Sequence, residues 1–145
     1  MTAVGAPEVL KFQDIDAPDI SNDSQIKVRL HAAGVNPVDT KIRQNGVFYD
    51  QPLPAVLGCD GAGVVVETGA AVSRFKVGDK VGVGCMIDAC RECTDCKDHL
   101  EQYCAKRVWT YNATERDGKT LAQGGYSTNI VVDHNFVIRI PDNLP

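Results

Sequence analysis

The sequence lacks the features that define several common protein classes. No stretch approaches the roughly 18 consecutive apolar residues that a membrane-spanning helix needs, and residues 1–5 carry no basic segment leading into an apolar one. The 145 residues have a formal net charge of −4 and no basic stripe, so nucleic acid is not an expected partner. We therefore expect a cytoplasmic globular protein that binds neither membranes nor nucleic acid.

Nucleotide-binding motifs are missing as well. A dinucleotide-binding unit needs G-x-G-x-x-G between a strand and a helix. The Gly-rich residues 58–63 have a different spacing and lead into a strand-like run, and residues 82–84 lead into a cysteine-rich loop. Walker-type and G-x-S-x-G motifs are absent too. We therefore expect no Rossmann domain within these residues and no segment that holds NAD(P) by itself.

Cysteine, in contrast, is abundant. Four of the six cysteines follow the pattern C-x2-C-x2-C-x7-C, namely Cys90, Cys93, Cys96 and Cys104. Two-residue gaps let successive thiolates face one centre, and Zn²⁺ favours four tetrahedral ligands. Because four thiolates leave no open coordination position, the spacing predicts one structural zinc ion per chain. Without a secretion signal, a disulfide framework is a poor interpretation.

Alternatives to this interpretation stay open at the level of the sequence. An iron–sulfur site has a similar spacing, but the bacterial ferredoxin pattern is C-x2-C-x2-C-x3-C-P, which the cysteines here do not follow. His99 could replace Cys104 as the fourth ligand, although a thiolate matches the three other ligands better. We interpret the remaining cysteines, Cys59 and Cys85, as small buried residues.

Short strands dominate the rest of the sequence. Apolar–polar alternation and β-branched runs predict strands over 26–32, 61–67, 75–83, 126–132 and 136–140. Helical periodicity is scarce, with a short helix predicted over 38–43 and a turn near 98–103. Many short strands with Gly-rich turns predict a mainly β fold with short helices, a β-barrel that is closed or only partly open. We expect residues 1–145 to form one domain, with a zinc-binding loop lobe over about 85–124.

Three segments resemble the medium-chain dehydrogenases/reductases, the zinc-type alcohol dehydrogenase superfamily. They are AAGVNPVD at 32–39, LGCDGAGV at 57–64 and FKVGDKV at 75–81. Residues 1–84 are most similar to the quinone oxidoreductase branch, and residues 85–145 to the cinnamyl-alcohol-dehydrogenase branch. The resemblance implies the N-terminal GroES-like catalytic domain, which a Rossmann domain follows in the family. It also implies an NAD(P)-dependent oxidoreductase that acts on a small carbonyl, quinone or alcohol once both domains are present.

The family's catalytic zinc motifs are altered in this sequence. Zinc alcohol dehydrogenases read Cys-His-x-Asp in the first loop, and the matching residues here begin with Asn36 and end with Asp39. Their second motif, Gly-His-Glu, is matched by Gly58-Cys59-Asp60. A catalytic zinc needs about three protein ligands and one open position, whereas this sequence offers Cys59 and Asp60. We therefore expect no catalytic zinc, as in the quinone oxidoreductases.

The same resemblance supplies the candidate catalytic residues. The amide of Asn36 could donate a hydrogen bond to a substrate carbonyl, although an Asx turn explains it equally well. Asp39 could support the helix, because its counterpart in the zinc enzymes orients a ligand. Tyr49 falls where relatives place a substrate-lining aromatic residue, with a packed surface tyrosine as the alternative. Cys59 and Asp60 complete the set.

Two functions remain open from the sequence. The first is the catalytic domain of an oxidoreductase, inactive without its nucleotide-binding domain. The second is a zinc-stabilised β-barrel scaffold without activity, or a chimeric or engineered fragment with a junction near residues 80–85. A domain that faces a Rossmann partner exposes apolar surface, so self-association is expected as well.

Overall fold

The computed structural model describes residues 1–46 and 52–144, so the candidate Tyr49 lies outside the described residues. The strands are β1 (Gln25–Ala33), β2 (Gly61–Thr68), β3 (Lys80–Val83), β4 (Met86–Asp88), β5 (Val108–Trp109), β6 (Asn129–Asp133) and β7 (Val137–Arg139). The α-helices are α1 (Pro37–Asn45) and α2 (Thr94–Lys97), and short 3-10 turns cover Pro7–Val9, Glu101–Tyr103 and His134–Phe136. None of the described helices is long and apolar enough to cross a membrane.

One antiparallel sheet forms the frame of the fold. Its strand order is β6-β1-β2-β3-β7, and all four pairings are antiparallel. Register shifts in β1, after Lys27 and after Leu30, bend the sheet. Because β6 and β7 are not paired with each other in this order, the curled sheet stays open along one side. The prediction of a mainly β, partly open barrel is confirmed.

The core lies on the concave face of this sheet. Ile26 and Val28 alternate along β1 with no exposed surface, and Val65 and Val81 complete the layer from the neighbouring strands. Period-2 alternation of β-branched side chains produces this arrangement, since every second residue of a strand faces the same side. The same alternation allowed β1, β2 and β7 to be predicted to within two residues.

Local hydrogen bonding explains where the predictions over 75–83 and 38–43 differ from the structure. The strand predicted over 75–83 begins only at Lys80, because the Asp79 carboxylate accepts the backbone N–H of Lys76 and closes a turn. The helix predicted over 38–43 is longer. Pro37 suits its first position, and Gly46 ends it in the left-handed conformation at φ 65°.

Residues 85–124, the predicted lobe, contain the two-stranded sheet of β4 and β5, the helix α2 and the 3-10 turn Glu101–Tyr103. An ion pair joins the lobe to the barrel: Nη2 of Arg91 lies 2.6 Å from Oδ2 of Asp133, whose side chain is 1% exposed. Asp133 also accepts hydrogen bonds from Ser24 and Asn135. This buried carboxylate therefore ties the lobe to the end of β6.

Candidate functional site

The four predicted metal ligands converge in the lobe. The Sγ atoms of Cys90, Cys93, Cys96 and Cys104 all lie within 4.8 Å of one another. The separation is 3.5 Å between Cys104 and Cys90 and 3.9 Å between Cys90 and Cys96. A tetrahedral zinc ion with Zn–S bonds of about 2.3 Å requires sulfur atoms about 3.8 Å apart. The four thiols therefore fit a zinc ion, and His99 is not part of the group.

Backbone N–H groups point at two of these sulfur atoms. The N–H of Cys93 donates to Sγ of Cys90 at 3.4 Å, and the N–H of Lys106 donates to Sγ of Cys104 at 3.3 Å. Backbone donors, first that of Glu92 and then that of Cys93, lower the pKa of Cys90 to about 6. Burial raises the pKa of Cys96 to about 12. Because metal ligands must be deprotonated, a cation at this cluster displaces protons from such thiols.

Asp39 is the centre of a buried hydrogen-bond network. The backbone N–H of Asn36 donates to Oδ2 at 2.9 Å, and the N–H of Gly58 donates to Oδ1 at 3.2 Å. The hydroxyls of Tyr111 and Tyr126 each donate to one carboxylate oxygen at 3.0 Å. Burial, together with the negative charge of Asp39, raises the pKa of both tyrosines, so they stay protonated donors. Asp39 thus supports the helix, as one sequence interpretation proposed, and also holds three other segments.

Asn36, Cys59 and Asp60 form a second small cluster beside Asp39. Nδ2 of Asn36 donates to Oδ1 of Asp60 at 2.6 Å, and Sγ of Cys59 donates to the same oxygen at 3.3 Å. Gly34 is required next to this carboxylate, because a Cβ there would lie 2.3 Å from Oδ2 of Asp60. The structure therefore brings four of the five candidate catalytic residues together.

These residues do not fit the catalytic zinc of the zinc enzymes. Burial, then the hydrogen bond to Asp60, raises the pKa of Cys59 to about 12, so Cys59 is a neutral thiol that donates to Asp60. Asn36 stands where those enzymes have a thiolate, and its amide already engages Asp60. Within residues 1–46 and 52–144, the one group of three or more candidate ligands close enough for a metal ion is the four-cysteine cluster.

A cavity of about 250 Å³ opens next to Cys59. Its wall is mainly apolar and comes from α1, the loop before β2, and β5 with the residues after it; the lining residues are Val38, Ile42, Cys59, Cys85, Trp109, Thr110, Tyr111 and Asn112. A concave apolar pocket with a few polar groups is the usual form of a small-molecule site. This cavity can therefore hold a small, mostly apolar molecule beside Cys59, whose thiol donates to Asp60.

The interpretation of Cys85 as a buried residue was wrong. Cys85 is exposed and lies on the cavity wall. It follows the end of β3 at Val83 and precedes β4 at Met86, so it belongs to neither strand and the alternation of a sheet does not apply to it. Cys59 is partly buried and lines the same cavity.

Sequence reasoning missed three aromatic residues of the site. Trp109 and Tyr111 line the cavity, and Tyr126 binds Asp39 from a point 87 residues further along the chain. Tyr126 lies within residues 85–145, which resemble the cinnamyl-alcohol-dehydrogenase branch, but no local signal assigned it a partner. A buried carboxylate such as Asp39 needs donors, so the sequence could indicate that partners exist without naming them.

Comparisons with known proteins agree with this architecture. Residues 22–142 match the family described as the alcohol dehydrogenase GroES-like domain. NADP-dependent alcohol dehydrogenase C 1 of Mycolicibacterium smegmatis is 60% identical over 120 residues, which cover 80% of this chain and 33% of that protein. A probable cinnamyl alcohol dehydrogenase 2 of Picea abies is 53% identical over 92 residues, 63% of this chain and 26% of the relative.

Solved structures give the same result. The CAD from Helicobacter pylori, complexed with NADP(H), is 36% identical with a TM-score of 0.78, and the match covers 87% of this chain and 36% of that one. An NAD-dependent alcohol dehydrogenase is 30% identical with a TM-score of 0.83, over 100% of this chain and 39% of that one. The chain thus spans about a third of the length of these relatives.

Proposed function

This chain belongs to the alcohol dehydrogenase GroES-like domain family, in the zinc-type medium-chain dehydrogenase/reductase superfamily, and we propose that it is the substrate-side domain of an NAD(P)-dependent oxidoreductase. Its substrate class is a small carbonyl compound or alcohol. The observation that carries this proposal is the apolar cavity of about 250 Å³ that is lined by Cys59, the member of the Asn36–Cys59–Asp60 cluster that reaches the cavity wall. Membership confirms the family predicted from the sequence. The similarity of residues 1–84 to quinone oxidoreductases stays a prediction.

The nicotinamide cofactor, held by a Rossmann domain in cis as in the family, would give a hydride to a carbonyl substrate or accept one from an alcohol substrate. The residues of this chain would bind and orient the substrate. The apolar wall, including Val38 and Trp109, would hold its hydrocarbon part. Asn36 would donate to the substrate oxygen, because its amide nitrogen carries a second N–H besides the one given to Asp60. Asp60 would fix the orientation of that amide.

We propose that one zinc ion occupies the four-cysteine cluster and has a structural role. Four thiolates complete a tetrahedral shell, so no coordination position is left for a substrate. The positions of the catalytic zinc in the zinc enzymes carry Asn36 and Cys59 here, and no step of the proposed reaction passes through a metal ion. We expect the chain to be inactive without a nucleotide-binding domain.

The alternative is a zinc-stabilised scaffold without activity. The scaffold is favoured because the carboxylates of Asp39 and Asp60 accept hydrogen bonds from groups of the chain itself, as purely structural residues do. A chimera is less well supported. One relative is 60% identical over 120 residues of a 145-residue chain, so its match must cross the suspected junction near residues 80–85. Self-association through exposed apolar residues such as Phe12 and Ile138 stays a prediction.

Ligand binding by the chain tests the proposal. The sequence has one tryptophan, Trp109, and it lines the cavity, so its emission reports occupancy directly. We expect saturable quenching by benzyl alcohol, abolished in Val38→Phe, which fills the cavity. A quenching of Trp109 emission that rises linearly with benzyl alcohol concentration, equally in the wild type and in Val38→Phe, would favour the inactive scaffold. Oxidation of NADPH by the 145-residue chain alone would contradict the proposed division of labour.

A further inference from the structure

Arg107 contacts both the metal cluster and the cavity wall. Its Nη1 donates to the backbone carbonyl of Cys104 at 3.0 Å. Its guanidinium carbon lies 4.7 Å from the centre of the Trp109 ring. Trp109 in turn lines the cavity. One side chain therefore bridges a proposed zinc ligand and the wall of the proposed substrate site.

We propose that Arg107 is a positioning residue that sets the orientation of Trp109 on the cavity wall. The segment carrying Cys104 is the fixed support, and the guanidinium transmits its position to the indole ring. The consequence is that the affinity of the cavity for an apolar alcohol depends on Arg107, which does not line the cavity. The inference rests on the proposed function only where it equates this cavity with the substrate site.

Trp109 is only partly enclosed by the described residues. It is the last residue of the two-residue strand β5, and it is 38% exposed. The preceding residue, Val108, points into the core and is 3% exposed, so the alternation of the strand directs Trp109 away from that core. A cation over the face of an indole is attracted by the ring quadrupole, and this attraction restricts the ring to one orientation.

The chemistry of arginine suits this double contact. A guanidinium is planar, so it can stack on a ring while an N–H in its own plane donates to a carbonyl, whereas a lysine ammonium is a point charge without a stacking face. Nε of Arg107 is buried and has no hydrogen-bond partner among the described residues. The contacts that orient the guanidinium are therefore the Cys104 carbonyl and the Trp109 ring.

The test compares zinc-loaded full chains of the wild type, Arg107→Met, Arg107→Lys and the control Lys106→Met. Lys106 is the neighbouring cation, and its Nζ pairs with the exposed Glu92 at 3.2 Å. The readouts are zinc content, acrylamide quenching of Trp109 emission, and the affinity for benzyl alcohol. In Arg107→Met we expect unchanged zinc content, stronger quenching and an affinity about fivefold weaker, the equivalent of one cation–π contact. The quenching and the affinity of Arg107→Lys should lie between those of the wild type and Arg107→Met. Lys106→Met should match the wild type in both.

Wild-type quenching and affinity in a folded Arg107→Met chain would overturn the proposal. If that variant loses zinc or does not fold, Arg107→Lys decides: quenching equal to the wild type would overturn the proposal, and intermediate quenching would support it. Failure of benzyl alcohol to bind the wild type would count against the proposed function. The quenching comparison needs no ligand, so it would still test the role of Arg107.

Discussion

Arg91 of the metal-binding lobe and Asp133 of the barrel form an ion pair, with 2.6 Å between Nη2 and Oδ2. Asp133 is almost completely buried, whereas the Arg91 side chain is 35% exposed. The same carboxylate accepts hydrogen bonds from the hydroxyl of Ser24 and from the backbone and side-chain nitrogen atoms of Asn135. Asp133 thus accepts contacts from four donor groups and adds a polar link to the apolar packing of Ile87 and Val108 against the barrel core.

Replacing this carboxylate is expected to destabilise the protein strongly. Asp133→Ala removes the shared acceptor of Arg91, Ser24 and Asn135, and the loss of one partner of a buried pair costs about 3–5 kcal/mol. Arg91 keeps its pair with Asp88, and Ser24 keeps its hydrogen bond to Asn22. We expect Asp133→Ala to lower the free energy of unfolding, measured with urea, by about 2–4 kcal/mol, because the partly exposed Arg91 recovers some hydration. The control is Asp19→Ala, which removes the surface pair with Lys27 at 3.0 Å and should cost less than about 1 kcal/mol. Equal losses in the two variants would contradict the role assigned to Asp133.

The charge of Asp79 is expected to make the stability of the protein fall in acid. Its pKa is lowered to about 2, first by the backbone N–H of Lys76 and further by the side chains of Lys76 and Arg139. A carboxyl whose pKa is depressed in the folded state stabilises the fold above its unfolded pKa and loses that contribution as the pH falls. Its contribution should therefore be complete above about pH 4 and lost towards pH 2.

The variant Asp79→Asn isolates this effect. It lacks the titrating group, so its urea midpoint should fall less than that of the wild type between pH 5 and pH 2.5. The paired measurement is the difference between wild type and variant at each pH, which should shrink as the pH falls. A difference that is constant or grows in acid would show that Asp79 does not act through its charge.

The two tyrosines of the Asp39 network should differ in their contributions. Tyr111 is 6% exposed and Tyr126 is 37% exposed, so water can replace the hydroxyl of Tyr126 more easily. A hydrogen bond to a charged group contributes about 1.5–3 kcal/mol. We expect Tyr111→Phe to lose free energy of unfolding in that range and Tyr126→Phe to lose about 1 kcal/mol or less. Urea unfolding at neutral pH decides, and the reverse order would contradict the network as described.

Gly34 is predicted to be necessary for the position of Asp60. A Cβ at residue 34 would lie 2.3 Å from Oδ2 of Asp60, whereas a Cβ at Gly84 would have no atom within 4 Å. Gly34→Ala should therefore displace Asp60 from Asn36 and cost about 1–3 kcal/mol, as overpacking does. Gly84→Ala should change the stability by less than about 1 kcal/mol. Equal stabilities of the two variants would mean that Asp60 moves away freely.

Local patterns predicted the parts of this molecule that depend on neighbours in sequence. The cysteine spacing predicted a cluster whose four ligands lie within 15 residues, and alternation predicted β1 and β2. Asp39 could be placed at the start of a helix, because it lies in the first turn of α1. Contacts across 72 and 87 residues, those of Tyr111 and Tyr126 with Asp39, left no local signal.

Short elements escaped prediction for a different reason. The strands β4 and β5 contain three and two residues, too few for a period of two to be recognised. Their pairing sets Trp109 opposite Met86, and Trp109 and Cys85 both line the cavity. The cavity wall therefore depends on tertiary packing of elements that a sequence pattern does not define.

Zinc content tests the central claim of a structural metal cluster beside a metal-free substrate cavity. Elemental analysis of protein purified without added metal should give about one zinc ion per chain in the wild type. Cys104→Ser should lower this value strongly, while Cys59→Ser should leave it unchanged. A value near two in the wild type, falling by one in Cys59→Ser, would contradict the account and indicate a catalytic zinc at Cys59.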